Sequence, residues 1–273
     1  MRLNVKKTIL YLILFISVIL TIGPFYWMVV GATNISGDVL RIPPKFIPGT
    51  HLIDNFKNLT AEINIFRSLL NSTIVTVIYT FIAGLVSAAA GYAFAKFKFK
   101  GDNLLFSVIL LSMMVPYQAL VIPQFELFAN MNLLNSFTSV ILPQIAYPFA
   151  IFLMRQNMQS IPDSLLEAAR IDGCGELKIF FKIILPTSIP SIAAVSIFLF
   201  THQWNNFLWP LITLSSKDMY TLPVALATLA GMEHIDYGML MLGATISVLP
   251  IFIAFLFFQK FFISGMLGGS VKE

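Results

Sequence analysis

The chain has 273 residues, of which 58% are hydrophobic and only 11% are charged, and its mean hydropathy is +0.84. Because a soluble globular domain carries about 25% charged residues, this composition predicts an integral membrane protein surrounded by a lipid bilayer. The formal net charge of +4 is explained by membrane topology, and no separate basic domain or RNA-binding motif points to nucleic acid as a partner. The single Cys174 excludes an internal disulfide, and the three histidines are too far apart in sequence to suggest a metal site.

Six stretches of the chain are apolar over the roughly 20 residues that a membrane-spanning helix needs. They are residues 8–30, 72–95, 104–125, 137–158, 183–213 and 240–262. The sequence therefore predicts an all-α integral membrane protein with six transmembrane helices. The fifth stretch contains Pro186, Pro190 and Pro210, so its membrane helix is predicted to begin near Pro190. Basic residues before the first stretch also fit a signal peptide, but the uncharged run exceeds the about 7–15 residues of such a segment, and we interpret it as a retained helix.

Lysine and arginine residues in the loops predict the orientation of these helices. With the amino terminus inside, twelve basic residues fall in cytoplasmic segments and five fall outside. We therefore predict that both termini are cytoplasmic. In this arrangement residues 1–66 form the first helix and an external loop, residues 67–263 form a five-helix core with a cytoplasmic loop at 160–186, and residues 264–273 form a cytoplasmic tail.

The loop at residues 160–186 is polar, although it lies between two of the most apolar stretches. Ser164 and Glu167 have the spacing of a capping box, which predicts that a short helix begins at about this position. Gly173 and Gly175 are predicted to end the helix, and Gly173 is expected to adopt a positive φ or to make a close backbone contact.

A second helical stretch is predicted after the glycines. Its expected apolar face consists of Leu177, Phe180, Phe181 and Ile184, spaced at i, i+3, i+4 and i+7. Pro186 is then predicted to mark the bend into the fifth membrane helix. Two short helices joined at a glycine are consistent with two roles. They can form an interfacial linker between two membrane spans, or a docking segment for a partner.

The residues of this loop also match a known signature. The run Glu-Ala-Ala at 167–169 is followed by Gly173 and by the pair Leu185-Pro186 at the spacing of the EAA motif. The loop therefore resembles that of importer permeases of the ATP-binding-cassette class. The runs ARIDG at 169–173 and WNNFLWPLI at 204–212 resemble the carbohydrate branch of that family, which includes maltose, oligosaccharide and glycerol-phosphate permeases, and the chain is similar to the smaller permease subunit.

This resemblance implies a type I importer permease fold in a bacterial inner membrane. It also implies that the chain is not an enzyme but a transport subunit that works with a second homologous permease, a dimeric cytoplasmic ATPase and an extracytoplasmic solute-binding protein. No cofactor or metal is expected on this chain, whereas ATP and Mg²⁺ are expected on the ATPase; the sequence contains no G-x-x-x-x-G-K-S/T phosphate loop.

The resemblance further implies which side chains of the loop face the ATPase. The residues expected to couple to it are Glu167, Ala168, Ala169, Arg170, Asp172, Gly173, Leu185 and Pro186. Chemistry supports two of these roles, because a carboxylate can pair with a partner and Gly173 permits a tight turn. Glu167 also fits a simpler role as the acceptor of the capping box.

Polar side chains inside the membrane stretches are candidates for a solute path. Four residues of the fifth stretch recur at helical spacing: His202, Asn205, Asn206 and Trp209. They are predicted to share one helix face, which either lines a path for a hydroxylated solute or forms hydrogen bonds to another helix.

Prolines in the third and fourth stretches predict further interruptions. Pro116 and Pro123 each remove a backbone donor, and broken helices often mark transport sites. The full set of candidate solute-path residues is Tyr117, Gln118, Gln124, Gln144, Tyr147, His202, Asn205, Asn206 and Trp209. In the second stretch, Gly84 and Ala88 instead predict close helix packing.

Carboxylates are scarce at membrane depth, where the one candidate is Glu126 at the outer end of the third stretch. A proton- or sodium-coupled carrier usually carries buried carboxylates along its path. The sequence therefore predicts the permease subunit of an ATP-driven, binding-protein-dependent importer for a sugar, oligosaccharide or polyol. The alternative is a stand-alone secondary carrier or channel.

Overall fold

The computed structural model describes the backbone of residues 5–268 and, over that range, consists of helices, turns and loops. The α-helices in chain order are α1 (Val5–Ala32), α2 (Ser36–Val39), α3 (Leu52–Glu62), α4 (Ile65–Lys96), α5 (Asp102–Ser112), α6 (Tyr117–Asn130), α7 (Phe137–Ile141), α8 (Pro148–Gln159), α9 (Asp163–Ile171), α10 (Glu176–Ile179), α11 (Leu185–Thr187), α12 (Ile189–Trp204), α13 (Leu208–Thr213), α14 (Leu222–Ala230) and α15 (Tyr237–Gly268). A π-helical turn (Phe180–Ile184) joins α10 to α11, and short 3₁₀ turns lie at Leu142–Gln144 and Lys217–Met219. The predicted all-α class is confirmed.

Three helices are long and apolar enough to cross a membrane without interruption. They are Lys7–Ala32, Ile65–Lys96 and Tyr237–Phe257. Three more crossings arise if each bent pair of helices counts as one span. The first pair is α5 and α6, which meet at a bend of 101°. The second is the segment Phe137–Gln144 and α8, with a bend of 47°. The third is the segment Glu176–Thr187 and α12, with a bend of 81°. The six predicted apolar stretches thus correspond to three straight helices and up to three broken ones.

The breaks follow the prolines only in part. Pro116 directly precedes α6, as predicted for a residue that cannot donate a backbone hydrogen bond. Pro123 lies inside α6, and the helix continues through it without an unwound turn. The α12 helix begins at Ile189, one residue before the predicted start, and the bend lies at Ser188 rather than at Pro186.

The chain divides into two compact units. The first comprises Met1–Ser68 and Leu222–Pro250, and the second comprises Leu69–Thr221 and Ile251–Glu273. In the first unit, the amide of the buried Asn55 side chain donates to the carbonyl oxygens of Ala32 and Asn34 at 2.8 and 2.9 Å. This side chain fixes the turn that follows α1.

Asp236 immediately precedes α15 and organises the same unit. Its carboxylate accepts hydrogen bonds from Ser36 Oγ at 2.9 Å, from Asn58 Nδ2 at 3.2 Å and from the backbone N–H of Met239 at 3.2 Å. Burial raises the pKa of this carboxyl, but these hydrogen bonds outweigh burial and leave the pKa below its ordinary value. The carboxylate therefore caps α15 and ties it to the segment after α1.

In the second unit, α4 packs against α8 at a glycine. A Cβ atom on Gly91 would lie 2.6 Å from Met154 Cβ and 2.8 Å from the backbone nitrogen of Arg155. At Gly84 an added Cβ would meet only a methyl group of Leu199 at 4.0 Å. Within the described part of α4, the tighter contact thus lies at Gly91, less than one turn beyond Ala88 of the predicted pair.

Candidate functional sites

Residues 163–187 form two short helical segments joined at Gly173, and we call this region the knob. The first segment is α9, with Asp172 at its carboxyl end. Gly173 has φ +76°, and its N–H donates to the carbonyl oxygen of Arg170 at 3.0 Å. A left-handed residue after the last helical position is a common way to end a helix, so the predicted positive φ of Gly173 is confirmed.

The predicted capping box is wrong, although a helix does begin at the expected position. The N-cap residue is Pro162, which has no side-chain acceptor, and Ser164 lies within the first turn. Asp163, the first helical residue, instead pairs with Lys96 Nζ at 2.7 Å. This hydrogen bond and the charge of Lys96 lower the pKa of the Asp163 carboxyl. A carboxylate in the first turn of a helix is also stabilised by the partial positive charge of the helix dipole at that end.

The apolar face predicted for the second segment is also wrong. Leu177 and Phe181 are 77% and 55% exposed, whereas Ile179 and Ile184 are fully buried. The buried side instead carries Ile179, Phe180 and Ile184, with Ile183 half-buried, so the segment turns a neighbouring face to the core. Of the four predicted residues, Phe180 and Ile184 point into the core, and two large apolar side chains remain exposed.

The eight predicted coupling residues do not share one environment. Exposed positions are Glu167, Ala168, Arg170, Asp172, Gly173 and Pro186, whereas Leu185 is half-buried and Ala169 is buried in the core of the second unit. Two apolar side chains beside them are far more exposed than sequence periodicity indicates: Ile171 at 87% and Leu177 at 77%. The exposed surface of the knob is therefore part charged and part apolar.

Polar contacts that the sequence analysis missed fasten the knob to α4. Arg170 Nε donates to Glu176 Oε1 at 2.7 Å, and Tyr92 Oη donates to Glu176 Oε2 at 2.9 Å. The hydrogen bond to Glu176 raises the pKa of the Arg170 guanidinium. Lys96 Nζ also donates to the carbonyl oxygen of Ile161. Arg170 and Glu176 lie six positions apart across a glycine joint, so no helical spacing predicts their pairing.

A cavity of about 1170 Å³ lies in the second unit, where three interruptions of the helices meet. Its lining includes Pro116 between α5 and α6, Tyr147 before α8, and Asn205 and Asn206 between α12 and α13. Eight of the nine candidate solute-path residues line this cavity: Tyr117, Gln118, Gln124, Gln144, Tyr147, His202, Asn205 and Asn206. The sequence thus selected residues that the fold brings together from three parts of the chain, namely α6, residues 144–147 and residues 202–206.

Trp209 is the exception, and its predicted place on a polar helix face is wrong. The α12 helix ends at Trp204, so residues 202–209 do not share one continuous helix. Trp209 is fully buried, its indole Nε1 donates to the carbonyl oxygen of Ser139 at 2.7 Å, and its ring packs edge-on against Phe128. In the described chain this side chain holds α13 in place.

The cavity lining combines neutral polar groups with aromatic rings. Amides, hydroxyls and an imidazole supply hydrogen-bond donors and acceptors, and Phe149, Phe198 and Phe207 supply apolar faces. The His202 ring lies 4.7 Å from the Tyr147 ring, centroid to centroid. Its Nδ1 atom is buried and has no hydrogen-bond partner among the described residues. Such a lining suits a solute with many hydroxyl groups.

Long apolar helices, with interrupted helices around a cavity that has both polar and aromatic lining, are typical of a membrane transport protein. Residues 81–268 match the family of binding-protein-dependent transport system inner membrane components, and the chain belongs to that family. It is a multi-pass protein of the bacterial inner membrane.

Relatives of known name agree with this assignment. The chain is 40% identical to the arabinooligosaccharides transport system permease protein AraQ of Halalkalibacterium halodurans, over 93% of this chain and 92% of the relative. It is 38% identical to the lactose transport system permease protein LacG of Rhizobium radiobacter, over 100% and 98%. It is 32% identical to the sn-glycerol-3-phosphate transport system permease protein UgpE of Yersinia pestis, over 94% of each.

A solved structure shares the fold. It belongs to a bacterial ABC transporter involved in the import of the acidic polysaccharide alginate, and the match has a TM-score of 0.79 at 20% identity, covering 95% of this chain and 97% of the other. The predicted importer permease fold is therefore confirmed.

Proposed function

We propose that this chain is a permease subunit of an ATP-driven importer for carbohydrates and forms half of the translocation path. The observation that carries the proposal is the convergence of three helix interruptions, before α6, before α8 and between α12 and α13, on one cavity lined by neutral polar and aromatic side chains. The names of the relatives support a sugar, oligosaccharide or polyol derivative as the solute. Membership of a binding-protein-dependent family weighs against a stand-alone carrier or channel.

The solute path is proposed to use the cavity residues rather than Trp209. Amide groups of Gln118 and Asn205 offer both donors and acceptors, as a hydroxylated solute requires. Aromatic rings such as Phe198 offer a plane for the C–H face of a sugar ring. Because broken helices expose backbone groups at membrane depth only where they line a cavity, the interruptions fit a hydrated path.

The knob is proposed to dock on a separate ATPase in the cytoplasm, which binds ATP and Mg²⁺. The apolar side chains of Ile171 and Leu177 and the carboxylate of Glu167 would form the contact, since exposed apolar groups rimmed by charge are typical of interaction sites. Closure of an ATPase dimer would move the knobs of this chain and of a second permease. The cavity would then open in turn to a binding protein outside and to the cytoplasm.

Uptake measurements test the solute path. Gln118→Leu and Asn205→Leu should each lower uptake of labelled arabino-oligosaccharide, lactose or polyol, whichever the unmodified complex imports, at unchanged abundance in the membrane. Glu126→Gln is the matched control, because Glu126 lies on the same helix as Gln118 but does not line the cavity. Normal uptake in both cavity variants would contradict the proposed path.

Co-purification tests the docking site. Ile171→Asp places a charge in the exposed apolar surface of the knob and should reduce recovery of the ATPase with the permease. Ile42→Asp serves as the control, because Ile42 is 95% exposed and lies on the predicted external loop. Full recovery of the ATPase with the Ile171 variant would remove the knob from the proposed interface.

A further inference from the structure

We propose that five side chains form a brace that transmits movement of the knob to α4: Tyr92, Lys96, Asp163, Arg170 and Glu176. This proposal rests on the proposed docking of the knob to an ATPase. Docking explains how force reaches the knob, but it does not explain how a short surface helix moves a membrane helix of 32 residues. The contacts of the brace supply that connection, with these five side chains acting as positioning residues.

The brace contacts α9 at both of its ends. Lys96 pairs with Asp163, the first residue of α9, at 2.7 Å. Tyr92 bonds to Glu176, which pairs with Arg170 in the last turn of α9. Since Tyr92 and Lys96 are spaced i and i+4, they lie on one face of α4, one turn apart. With both of its ends held, α9 cannot tilt or slide without displacing the last turn of α4.

The two contacts differ in strength. The Lys96 side chain is only 4% exposed and also donates to the carbonyl oxygen of Ile161, whereas its partner Asp163 is 76% exposed, so this contact is held by the buried lysine. Arg170 and Glu176 are 41% and 43% exposed, and exposed pairs contribute little by themselves. The Tyr92 ring reinforces the second contact, because it is 5% exposed and stacks 5.7 Å from the Phe180 ring of the π-helical turn. Lys96 is therefore the permanent anchor, and the Arg170–Glu176 contact is the adjustable one.

Apolar packing alone would not transmit movement in the same way. Leu166 and Ala169 bury one side of α9 in the core of the second unit. Apolar contacts are not directional, so they would stabilise the knob about equally well after a small displacement along α4. Hydrogen bonds to Glu176 and Asp163 have fixed geometry and thus select one orientation of α9 relative to α4.

The experiment measures solute transported per ATP hydrolysed by the complete complex in lipid vesicles. Tyr92→Phe removes only a hydroxyl, and Glu176→Gln removes only a charge. With these two changes combined, the ATPase should co-purify as with the unmodified chain and hydrolysis should persist, while transport per ATP falls about fivefold or more, as for loss of a typical coupling free energy. Lys96→Met should act in the same direction, and Lys98→Met on the neighbouring exposed lysine is its control.

A charge exchange separates a positioning role from simple loss of stability. Arg170→Glu and Glu176→Arg should each lower transport per ATP, and the two together should restore it in part, because the ion pair forms again while the carboxylate that accepts from Tyr92 stays absent. An unchanged transport-to-hydrolysis ratio in the Tyr92→Phe, Glu176→Gln variant, with the ATPase bound, would overturn the brace. Loss of the ATPase from that variant would also overturn it, because these residues would then serve docking. If the unmodified permease does not recover an ATPase at all, the proposed function itself fails.

Discussion

Gly173 shows how one backbone angle can be tested at the end of a helix. A β-branched residue at φ +76° costs about 1–3 kcal/mol, so Gly173→Val should distort the joint of the knob while leaving the membrane helices intact. We expect normal abundance in the membrane, weaker recovery of the ATPase, and a joint fall in transport and solute-stimulated hydrolysis.

Gly175 provides the matched control. It has φ −72°, and an added Cβ would meet no atom of the described chain within 4 Å. Gly175→Val should therefore retain both activities. Equal losses in the two variants, or no loss in either, would show that the positive φ at Gly173 is unimportant.

Trp209 should behave as a packing residue rather than as a solute contact. Truncation of a fully buried tryptophan costs about 3–5 kcal/mol, and Trp209→Ala also removes the hydrogen bond to Ser139. The expected result is a clear fall in yield and thermal stability in detergent. A stable Trp209→Ala protein with selectively altered solute preference would instead support its predicted role in the path.

Single residues also show what sequence reasoning could reach. The conformation of Gly173 follows from its place after a helix, which local patterns reveal. Ile179 is buried and Leu177 is exposed, because two neighbouring helix faces of this segment are apolar and only the tertiary packing decides which one meets the core. The partners of Glu176 were invisible because Tyr92 is distant in sequence and the intervening chain folds back on itself.

At the scale of helices, Gly91 should be the most sensitive point of α4. Gly91→Ala places a methyl group against Met154 and the backbone of α8, and overpacking of this kind costs about 1–3 kcal/mol. Gly84→Ala is the matched control, because it adds a methyl group to the same helix at a position where the nearest atom, a methyl carbon of Leu199, is 4.0 Å away. We expect a lower unfolding temperature for the Gly91 variant alone, measured with the complex in detergent. Equal unfolding temperatures of the two variants would show that α4 and α8 can move apart at Gly91 without a loss of stability.

The cap of α15 should show a defined pH dependence. The pKa of Asp236 in the folded chain lies below its ordinary value, so its carboxylate stabilises the fold above about pH 4 and loses that effect as pH falls through the folded pKa. Asp236→Asn should lower the unfolding temperature at neutral pH, and the difference from the unmodified chain should shrink below about pH 4.

The exposed residue Glu233, three positions before Asp236, is the control for this measurement. Glu233→Gln should leave the unfolding temperature nearly unchanged throughout. A difference for the Asp236 variant that stays constant down to pH 3 would rule out ionisation as the source of the stabilisation.

Two of the helix interruptions have a local sequence signal, a proline in one case and paired asparagines in the other. Pro116 correctly indicated the break before α6, because a missing backbone donor favours the start of a helix. The break between α12 and α13 falls at Asn205 and Asn206, upstream of Pro210. Paired asparagines favour turns because their side chains compete for backbone hydrogen bonds. Helical spacing alone does not contain this signal, and it therefore predicts one continuous helix face from His202 to Trp209.

For the molecule as a whole, the orientation in the membrane is the prediction on which the coupling role depends. Twelve basic residues on one side against five on the other predict cytoplasmic termini. A reporter fused after Lys98 or Lys178 should be active in the cytoplasm, and one within residues 41–57 should be active outside. Reversed signals would place the knob outside, where no ATPase could reach it.

The three interruptions around the cavity also bear on how a cell must produce this protein. Backbone that is not helical is tolerated at membrane depth only when protein or water covers it, and here such backbone occurs between α5 and α6, before α8, and between α12 and α13. A surplus copy without the proposed second permease would leave these groups facing lipid, and we expect membrane proteases to degrade it. We therefore expect the cell to balance synthesis of this chain against that of its companion, with the excess degraded.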